Sequence, residues 1–417
     1  MKYKTLKGLQ DILPPDIAVW HHIENTSRSI FKSYGFQEIR LPVMESTDVF
    51  IRSIGETSDI VEKEMYTFED KGGRSVTLRP EGTASFVRAY VEHHLFNNPA
   101  PQKFYYMGPM FRYERPQAFR YRQFYQIGAE AMGIDDPKLD AEIISMLSKI
   151  LEAIGLVGLN FEITSIGCKK CRPAYKEALK NFLGSKLEMF CTDCRRRCDA
   201  NPLRILDCKV PSCIESRKGA PPVLDYLCEE CSGHFNRLRD YLELLNVPHK
   251  VNPALVRGLD YYTKTAFEVS SENLGSQSAV AAGGRYDSMV DEFGGPPTPG
   301  IGFAMGIERL VPLVKDSVAP SEGPDLLICP LGDGASRKAL VIAEQLRAGG
   351  FWAEMNLDNA SLRSQMRKAN RIGAKNIIVI GEDELNKNEV IVKNMSSTGE
   401  TISVLAAEDL MRVIGSK

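Results

Sequence analysis

Arginine is the side chain that best fits a phosphate, because its guanidinium is planar, permanently charged and able to make two parallel hydrogen bonds. Four arginines, Arg112, Arg115, Arg120 and Arg122, fall in one short stretch, with Glu114 among them and Phe124 just beyond. On an extended hairpin, residues two apart share a face. Arg120, Arg122 and Phe124 would then align, with Arg112 and Glu114 across the ladder. Guanidinium groups beside an aromatic plate suit a nucleotide: charge for the phosphates, a ring for the base. A solvated charged hairpin would show the same local pattern.

Two further stretches carry chemistry. RGLDYY (257–262) places a guanidinium, a carboxylate and two phenols in six residues. If the stretch is a strand, alternation puts Tyr261 and Tyr262 on opposite faces, and one of them could be core. In PGIGFAMGIER the glycines Gly300, Gly302 and Gly306 precede Arg309. Their spacing is not that of a dinucleotide loop, and no Lys-Ser/Thr pair follows. Missing side chains that let a flat ligand approach the backbone are the better reading, in a strand-to-helix segment with a helix starting near Phe303.

Cysteine supplies a second chemistry. Between Cys168 and Asp240 lie nine of the chain's ten cysteines, together with 15 basic and 10 acidic residues. Cys168 and Cys171, Cys191 and Cys194, and Cys228 and Cys231 are separated by two residues, Cys208 and Cys213 by four, and Cys198 follows Cys194 by three. A two-residue gap lets both thiolates reach one tetrahedral ion at about 2.3 Å. The start of the chain lacks the apolar stretch of a secretion signal, which argues for metal over disulfides. The eight paired positions could supply two structural zinc sites, with the grouping open; reduced free cysteines are the plain alternative.

These side chains need a scaffold. At 417 residues, 43% hydrophobic and 25% charged, the chain has the composition of a folded protein of two or three domains. No apolar run approaches the ~18 residues of a membrane span, so a cytoplasmic protein without a membrane partner is expected. The net charge of −2 neither requires nor excludes a nucleic acid. The spacing of Ile17, Trp20, Ile23, Ile30 and Phe31 predicts a helix from Asp16 to Tyr34 with Gly35 as its cap, followed by an extended run from Phe36 to Val43. The runs 102–114 and 120–133 predict a long hairpin, 138–154 a helix, and 255–270 another extended run. Many strands with segregated helices predict an α+β core with a mostly antiparallel sheet. After the loop Asp316–Gly323, strands alternate with helices, predicting an α/β domain. The domains are then 1–323, with a cysteine-rich insertion at 166–245, and 324–417. In the last, Arg363, Arg367, Arg371 and Lys375 recur every four residues as a basic stripe of the kind phosphates need.

Taken in order, KGLQDILP (7–14), the helix and strand ending at Pro42, TLRPEGT (77–83), FRYE with RYRQF, LVRGLDYY, AAGGRYD and GIGFAMGIER resemble the class II aminoacyl-tRNA synthetases, and within them the histidyl-tRNA synthetase family. The resemblance implies a class II antiparallel sheet flanked by helices and a C-terminal α/β anticodon-binding domain. It implies joining of histidine to ATP as histidyl-adenylate with release of pyrophosphate, Mg2+ accompanying the ATP, and transfer of histidine to its tRNA. By residue, it implies that Arg112 holds the α-phosphate and Arg120 the terminal phosphates. Phe124 and Arg309 would sandwich the adenine, with Glu114 at its polar edge. Arg257 would bridge the histidine carboxylate and the α-phosphate, making Arg257 and Arg112 the catalytic pair. Glu81, Thr83 and Gln126, with Gly82 between the first two, would hold the α-amino group. Glu130 and Tyr262 would hold the imidazole, with Tyr261 beside them. The hairpin tip, Arg115 to Phe119, would approach the acceptor end of the tRNA, and a homodimer would form through the Pro42 segment. So many cysteines depart from the family's usual pattern. The competing reading is a non-catalytic paralogue that regulates ATP phosphoribosyltransferase; the complete set Arg112, Arg257 and Arg309 argues against it.

Overall fold

In the computed structural model, residues 3–55, 58–318, 323–358, 360–395, 401–404 and 409–410 are described. Contacts divide the chain into two units, Met1–Ala319 and Pro320–Lys417. The loop expected at Asp316–Gly323 lies partly outside the described residues.

The first unit is built on an eight-stranded sheet whose order is Gln37–Glu38, Gln102–Phe111, Gln123–Met132, Gly300–Gly306, Ala279–Arg285, Thr263–Ser270, Asn160–Ser165 and Lys250–Val251. The interior pairs are antiparallel and only the two short edge strands pair in parallel. This is the expected α+β sheet.

Alternation sends successive side chains to opposite faces. Tyr105, Ile127, Ala129 and Ala131 point to one side, where Trp20, Ile23 and Phe31 of the helix Asp16–Ser33, the helix Pro137–Ala153 and the helix Ile307–Val314 bury them. Tyr106, Met110 and Met132 point to the other, against Phe50, Phe86, Tyr90 and Tyr286. That second face also holds the helices Thr47–Ile54 and Thr83–Glu92 and a small sheet of Met44–Ser46, Ser75–Leu78 and Tyr66–Glu69.

Several expectations shift. Only Gln37 and Glu38 of the run from Phe36 to Val43 join the large sheet, and Pro42 lies outside any strand, having no N–H to donate. The hairpin strands stop at Phe111 and resume at Gln123, so 112–122 is a loop. The run 255–270 is a strand only from Thr263, and RGLDYY is a loop. The strand carrying Gly300 continues to Gly306, so its helix starts at Ile307, not near Phe303.

Between the strands Asn160–Ser165 and Lys250–Val251 the chain leaves the sheet as a helical excursion with helices Arg172–Gly184, Thr192–Ala200, Pro211–Ser216 and Glu229–Leu244. It has a small core of its own, centred on Tyr175, Leu179, Leu183, Phe190 and Ile205, with Cys194 and Cys213 inside it.

In the second unit the described strands run in the order Ala353–Met355, Leu326–Pro330, Asn376–Ile380, Val390–Asn394 and Thr401–Val404. The first three are parallel, and Asp333–Ala348 and Leu362–Ile372 are helices. The strand Thr401–Val404 and the helix Glu382–Lys387 were not expected from sequence. Arg363, Arg367 and Arg371 are exposed on one helix face while Gln365 and Ala369 are buried on the other. Lys375 leaves the stripe: Gly373, at φ +68°, ends the helix, and the Lys375 ammonium lies 3.3 Å from Asp325.

Candidate active site

Alternation in the strand Gln123–Met132 gives Phe124, Gln126, Gly128 and Glu130 one common face. Opposite Gln126, Gly128 and Glu130 the neighbouring strand supplies only Gly306, Ala304 and Gly302. With no large side chains there, a cavity of about 210 Å³ opens over the sheet. Gly302 is required by contact: a Cβ on it would come 1.7 Å from a Glu130 carboxylate oxygen.

Arg112, Arg120, Arg257 and Arg309, from three separate segments, all line this one cavity, together with Glu114, Phe124, Glu81, Thr83, Gln126, Glu130, Tyr261 and Tyr262. Each arginine is held by one backbone bond or one ion pair. Arg112 Nε donates to Pro80 O at 2.9 Å, and Arg309 Nη1 to Ala279 O at 2.6 Å. Arg120 pairs with Glu114 and Arg257 with Glu268. Burial holds Arg112, Arg120 and Arg309 below the usual guanidinium range, and the fields of the neighbouring arginines push the same way. Removal from water together with mutual repulsion makes a wall that favours an incoming polyanion. The Arg112 guanidinium sits 5.3 Å above the Phe124 ring.

At the other end lies a carboxyl floor. Glu81 Oε2 accepts the Thr83 N–H at 2.7 Å and Oε1 the Ala84 N–H at 2.8 Å, at the start of the helix Thr83–Glu92. Burial raises its carboxyl against those bonds and the pull of Arg112. Glu130 accepts three hydroxyls: Thr83 at 2.8 Å, Tyr106 at 3.1 Å and Tyr286 at 2.6 Å. Burial pushes it up to about 8 even against those donors. The Tyr261 and Tyr262 ring centroids are 4.7 Å apart; the loop, freed from strand alternation, turns both towards the cavity. Gln126 Oε1 and Arg257 Nε are buried without a partner among the described residues, the state expected of groups that await a ligand.

Four of the expected residues or segments have places that the sequence did not specify. Arg122 does not align with Arg120: past the end of the ladder it stacks 3.8 Å over Tyr113 and takes its place against Gly8, whose carbonyl accepts the Arg122 N–H at 2.7 Å. At the hairpin tip Arg115 is exposed, while Phe119, at φ +60°, lines the cavity. Gly82 is not in the lining; a Cβ on it would meet the Tyr106 ring at 2.2 Å, so it makes room for that ring. The Thr83 hydroxyl donates to Glu130, which leaves its oxygen free to accept from a ligand N–H.

Sequence reasoning missed Tyr106, Tyr286 and Glu308. Glu308 lines the cavity beside Arg309, accepts the Tyr125 N–H at 3.0 Å on each oxygen, and is pushed up to about 7 by burial. Its position beside Arg309 was the available signal. Nothing in the sequence pointed to Arg285 as buried structure: its guanidinium reaches Asp140 at 2.8 Å under the sheet, and Asp140 in turn meets His234 at 2.8 Å and Thr265 at 2.6 Å.

The cysteines form two quartets. In each, Cys168, Cys171, Cys228 and Cys231, or Cys191, Cys194, Cys208 and Cys213, all four sulfurs lie within 4.8 Å of one another. Cys168 is 3.7 Å from Cys171 and 3.9 Å from Cys228, and Cys191 is 3.9 Å from Cys208. These separations are too long for S–S bonds. They match the edge of about 3.8 Å that a tetrahedron with bonds near 2.3 Å requires. Cys171 Sγ accepts the Cys228 N–H at 3.1 Å and Cys213 Sγ the Cys191 N–H at 3.2 Å, as thiolate ligands do. Cys198 stands outside both groups.

A large antiparallel sheet with flanking helices, bearing an arginine-walled cavity, has the architecture of a class II aminoacyl-tRNA synthetase. A family model described as histidyl-tRNA synthetase matches residues 8–180 and 216–310, and one described as an anticodon binding domain matches residues 325–416. The histidine–tRNA ligase of Thermodesulfovibrio yellowstonii is 52% identical over 404 residues, 96% of each chain. The crystal structure of apo S. aureus histidyl-tRNA synthetase superposes with a TM-score of 0.84 at 40% identity, covering 99% of both chains. The chain belongs to the histidyl-tRNA synthetase family. A structure described as an ATP phosphoribosyltransferase regulatory subunit/histidyl-tRNA synthetase from Bacillus halodurans has a TM-score of 0.67 at 20% identity, over 91% of this chain and 99% of that one, a likeness of fold alone. The family match skips 181–215, the stretch that holds the whole inner cysteine quartet.

Proposed function

We propose that this chain is a histidine–tRNA ligase, activating histidine with ATP and passing it to the tRNA for histidine. The observation that carries the reading is the meeting of Arg112, Arg120, Arg257 and Arg309 with Glu81, Gln126 and Glu130 in one cavity. Bringing a carboxylate onto the α-phosphate joins two anions, so catalysis is largely the neutralisation of charge that develops in the transition state. Arg112 and Arg257 do this: Arg112 at the α-phosphate, Arg257 between that phosphate and the attacking carboxylate. Arg120 takes the terminal phosphates, while Phe124, Arg309 and Glu114 hold the adenine.

Glu81 and Gln126 orient the α-amino group, with Thr83 beside them. Glu130 and Tyr262, flanked by Tyr261, read the imidazole. A buried carboxyl and phenol left unpaired by phenylalanine allow discrimination of ~10⁴ without editing. Mg2+ accompanying ATP would neutralise phosphate charge, and Glu308, which lines the cavity beside Arg309, would offer it a hard oxygen donor.

The chain divides functionally into a catalytic part, 1–323, interrupted by the insertion 166–245, and an anticodon-binding part, 324–417. Exposed Arg363, Arg367 and Arg371 are its phosphate-facing stripe. Among the described residues no helix is long and apolar enough to cross a membrane, and the names of the relatives as tRNA ligases are what support a cytoplasmic setting. Exposed Val43 and Met44 beside Pro42 support a homodimer through that segment. Each cysteine quartet holds one structural Zn2+.

The test is histidine-dependent exchange of pyrophosphate into ATP, expected with histidine and not with phenylalanine. Absence of exchange, with firm binding to ATP phosphoribosyltransferase, would overturn it in favour of the regulatory paralogue. Metal analysis after gel filtration should find two zinc per chain.

A further inference from the structure

The insertion is fastened at two levels. The outer quartet closes its neck. Cys168 and Cys171 follow the strand Asn160–Ser165 where the chain leaves the sheet, and Cys228 and Cys231 open the helix Glu229–Leu244 that brings it back, its Phe235, Leu238 and Leu242 packed in the main core. The inner quartet pins the head, whose own apolar core is small enough to need a staple.

Both levels touch the loop 257–262 behind the cavity. Arg172, the residue after Cys171, donates to the backbone carbonyl of Tyr262. Just before it, Gly167 O accepts the Lys264 N–H at 3.0 Å and the Thr263 hydroxyl at 3.2 Å. From the head, between Cys194 and Cys208, Arg204 reaches Asp260 with Nε at 3.2 Å and Nη2 at 3.0 Å, and Asn201 Nδ2 donates to the same oxygen at 3.2 Å. Beside these contacts lies a cavity of about 280 Å³ lined by Arg172, Asn201, Arg204, Asp260 and Tyr262. Polar bonds from the two quartet-bearing levels thus hold the loop on the side of this cavity, while Tyr261 and Tyr262 pack in the main unit's core. Tyr261 and Tyr262, on the far side of the same loop, line the cavity floor.

Resting on the zinc reading above, we infer that the two metal centres act, through Arg172 and Arg204, as struts that set the position of the histidine-reading loop. Arg204, Arg172 and Asn201 are positioning residues for the amino acid, not for ATP. The inner strut lies in the stretch 181–215 that the family match skips.

The experiment uses the full chain in pyrophosphate exchange, with KM for histidine and for ATP measured separately and zinc counted in each protein. Arg204→Ala should keep two zinc and raise the histidine KM about tenfold, the effect of losing one charge-assisted bond, with the ATP KM nearly unchanged. Arg204→Lys should recover part of the loss. Cys213→Ser should reduce the zinc count to one and reproduce the histidine effect, and combining it with Arg204→Ala should add little, because both break one strut. Two zinc in the unaltered protein with an unchanged histidine KM in Arg204→Ala would overturn the strut and leave the zinc reading standing. An unaltered protein without zinc would overturn both.

Discussion

The two ends of the cavity are built on opposite principles. On the cationic wall the charged groups outnumber their partners: Arg112 and Arg309 are tied by single bonds to backbone carbonyls, and Arg257 Nε has no partner among the described residues. On the carboxyl floor every acid oxygen already has a donor, Glu130 taking three hydroxyls and Glu81 two backbone N–H groups, with acceptor sites left over for the substrate. The difference follows from what each end can change. A guanidinium cannot shed its charge at working pH, so the wall stores unmet electrostatic demand until phosphate arrives. A carboxyl can take up a proton, so burial favours the neutral form of Glu130 against the three donors that favour its charge, and a floor held rigid by those bonds is suited to reading shape and hydrogen bonds.

The comparison breaks most sharply at Arg112. Arg112→Ala should lower kcat/KM for exchange by about 10²–10³, roughly 3–4 kcal/mol of barrier, with little change in melting temperature. A loss of stability instead of rate would place Arg112 with the floor, as structure. At the floor, Glu130→Gln should raise the histidine KM about 10–100-fold while the ATP KM stays put, since one hydroxyl loses its acceptor and the pocket loses its acid. Equal loss for both substrates would erase the distinction between the ends.

Which parts of this were legible in the sequence depended on range. The helix Asp16–Ser33 was readable because its apolar spacing is local, and the cysteine pairs because their short gaps are local too, whereas the joining of Cys168 and Cys171 to Cys228 and Cys231 is set by the fold. The arginines were readable as types, but their placement by strand alternation failed past Phe111. There the ladder gives way to bonds from distant segments, Tyr113 N–H to Glu64 O at 2.6 Å and Arg122 N–H to Gly8 O at 2.7 Å. Tyr106 and Tyr286 could not be assigned to Glu130 from spacing: they are 24 and 156 residues away from it in sequence, and only the sheet register brings them together.

A smaller effect tests whether the second unit stands apart from both ends. Arg367→Ala with Arg371→Ala should weaken tRNA charging at low tRNA by about tenfold, reduce the salt slope by about two, and leave pyrophosphate exchange alone. A change in exchange would tie the stripe to the catalytic cavity.

The smallest signal concerns the floor without any substrate. Burial lifts the Glu130 carboxyl to about 8, whereas an unfolded chain would titrate it near 4.5. The folded state therefore binds this proton more tightly than the unfolded state does, and stability falls as pH rises from about 4.5 through 8, levelling off above. Glutamine cannot titrate, so Glu130→Gln lacks that slope. The melting temperature of the unaltered protein, measured relative to Glu130→Gln, should fall by a few degrees between about pH 5 and 9. A flat difference would mean that the three hydroxyls hold Glu130 as an ordinary carboxylate, and that the floor carries charge much as the wall does.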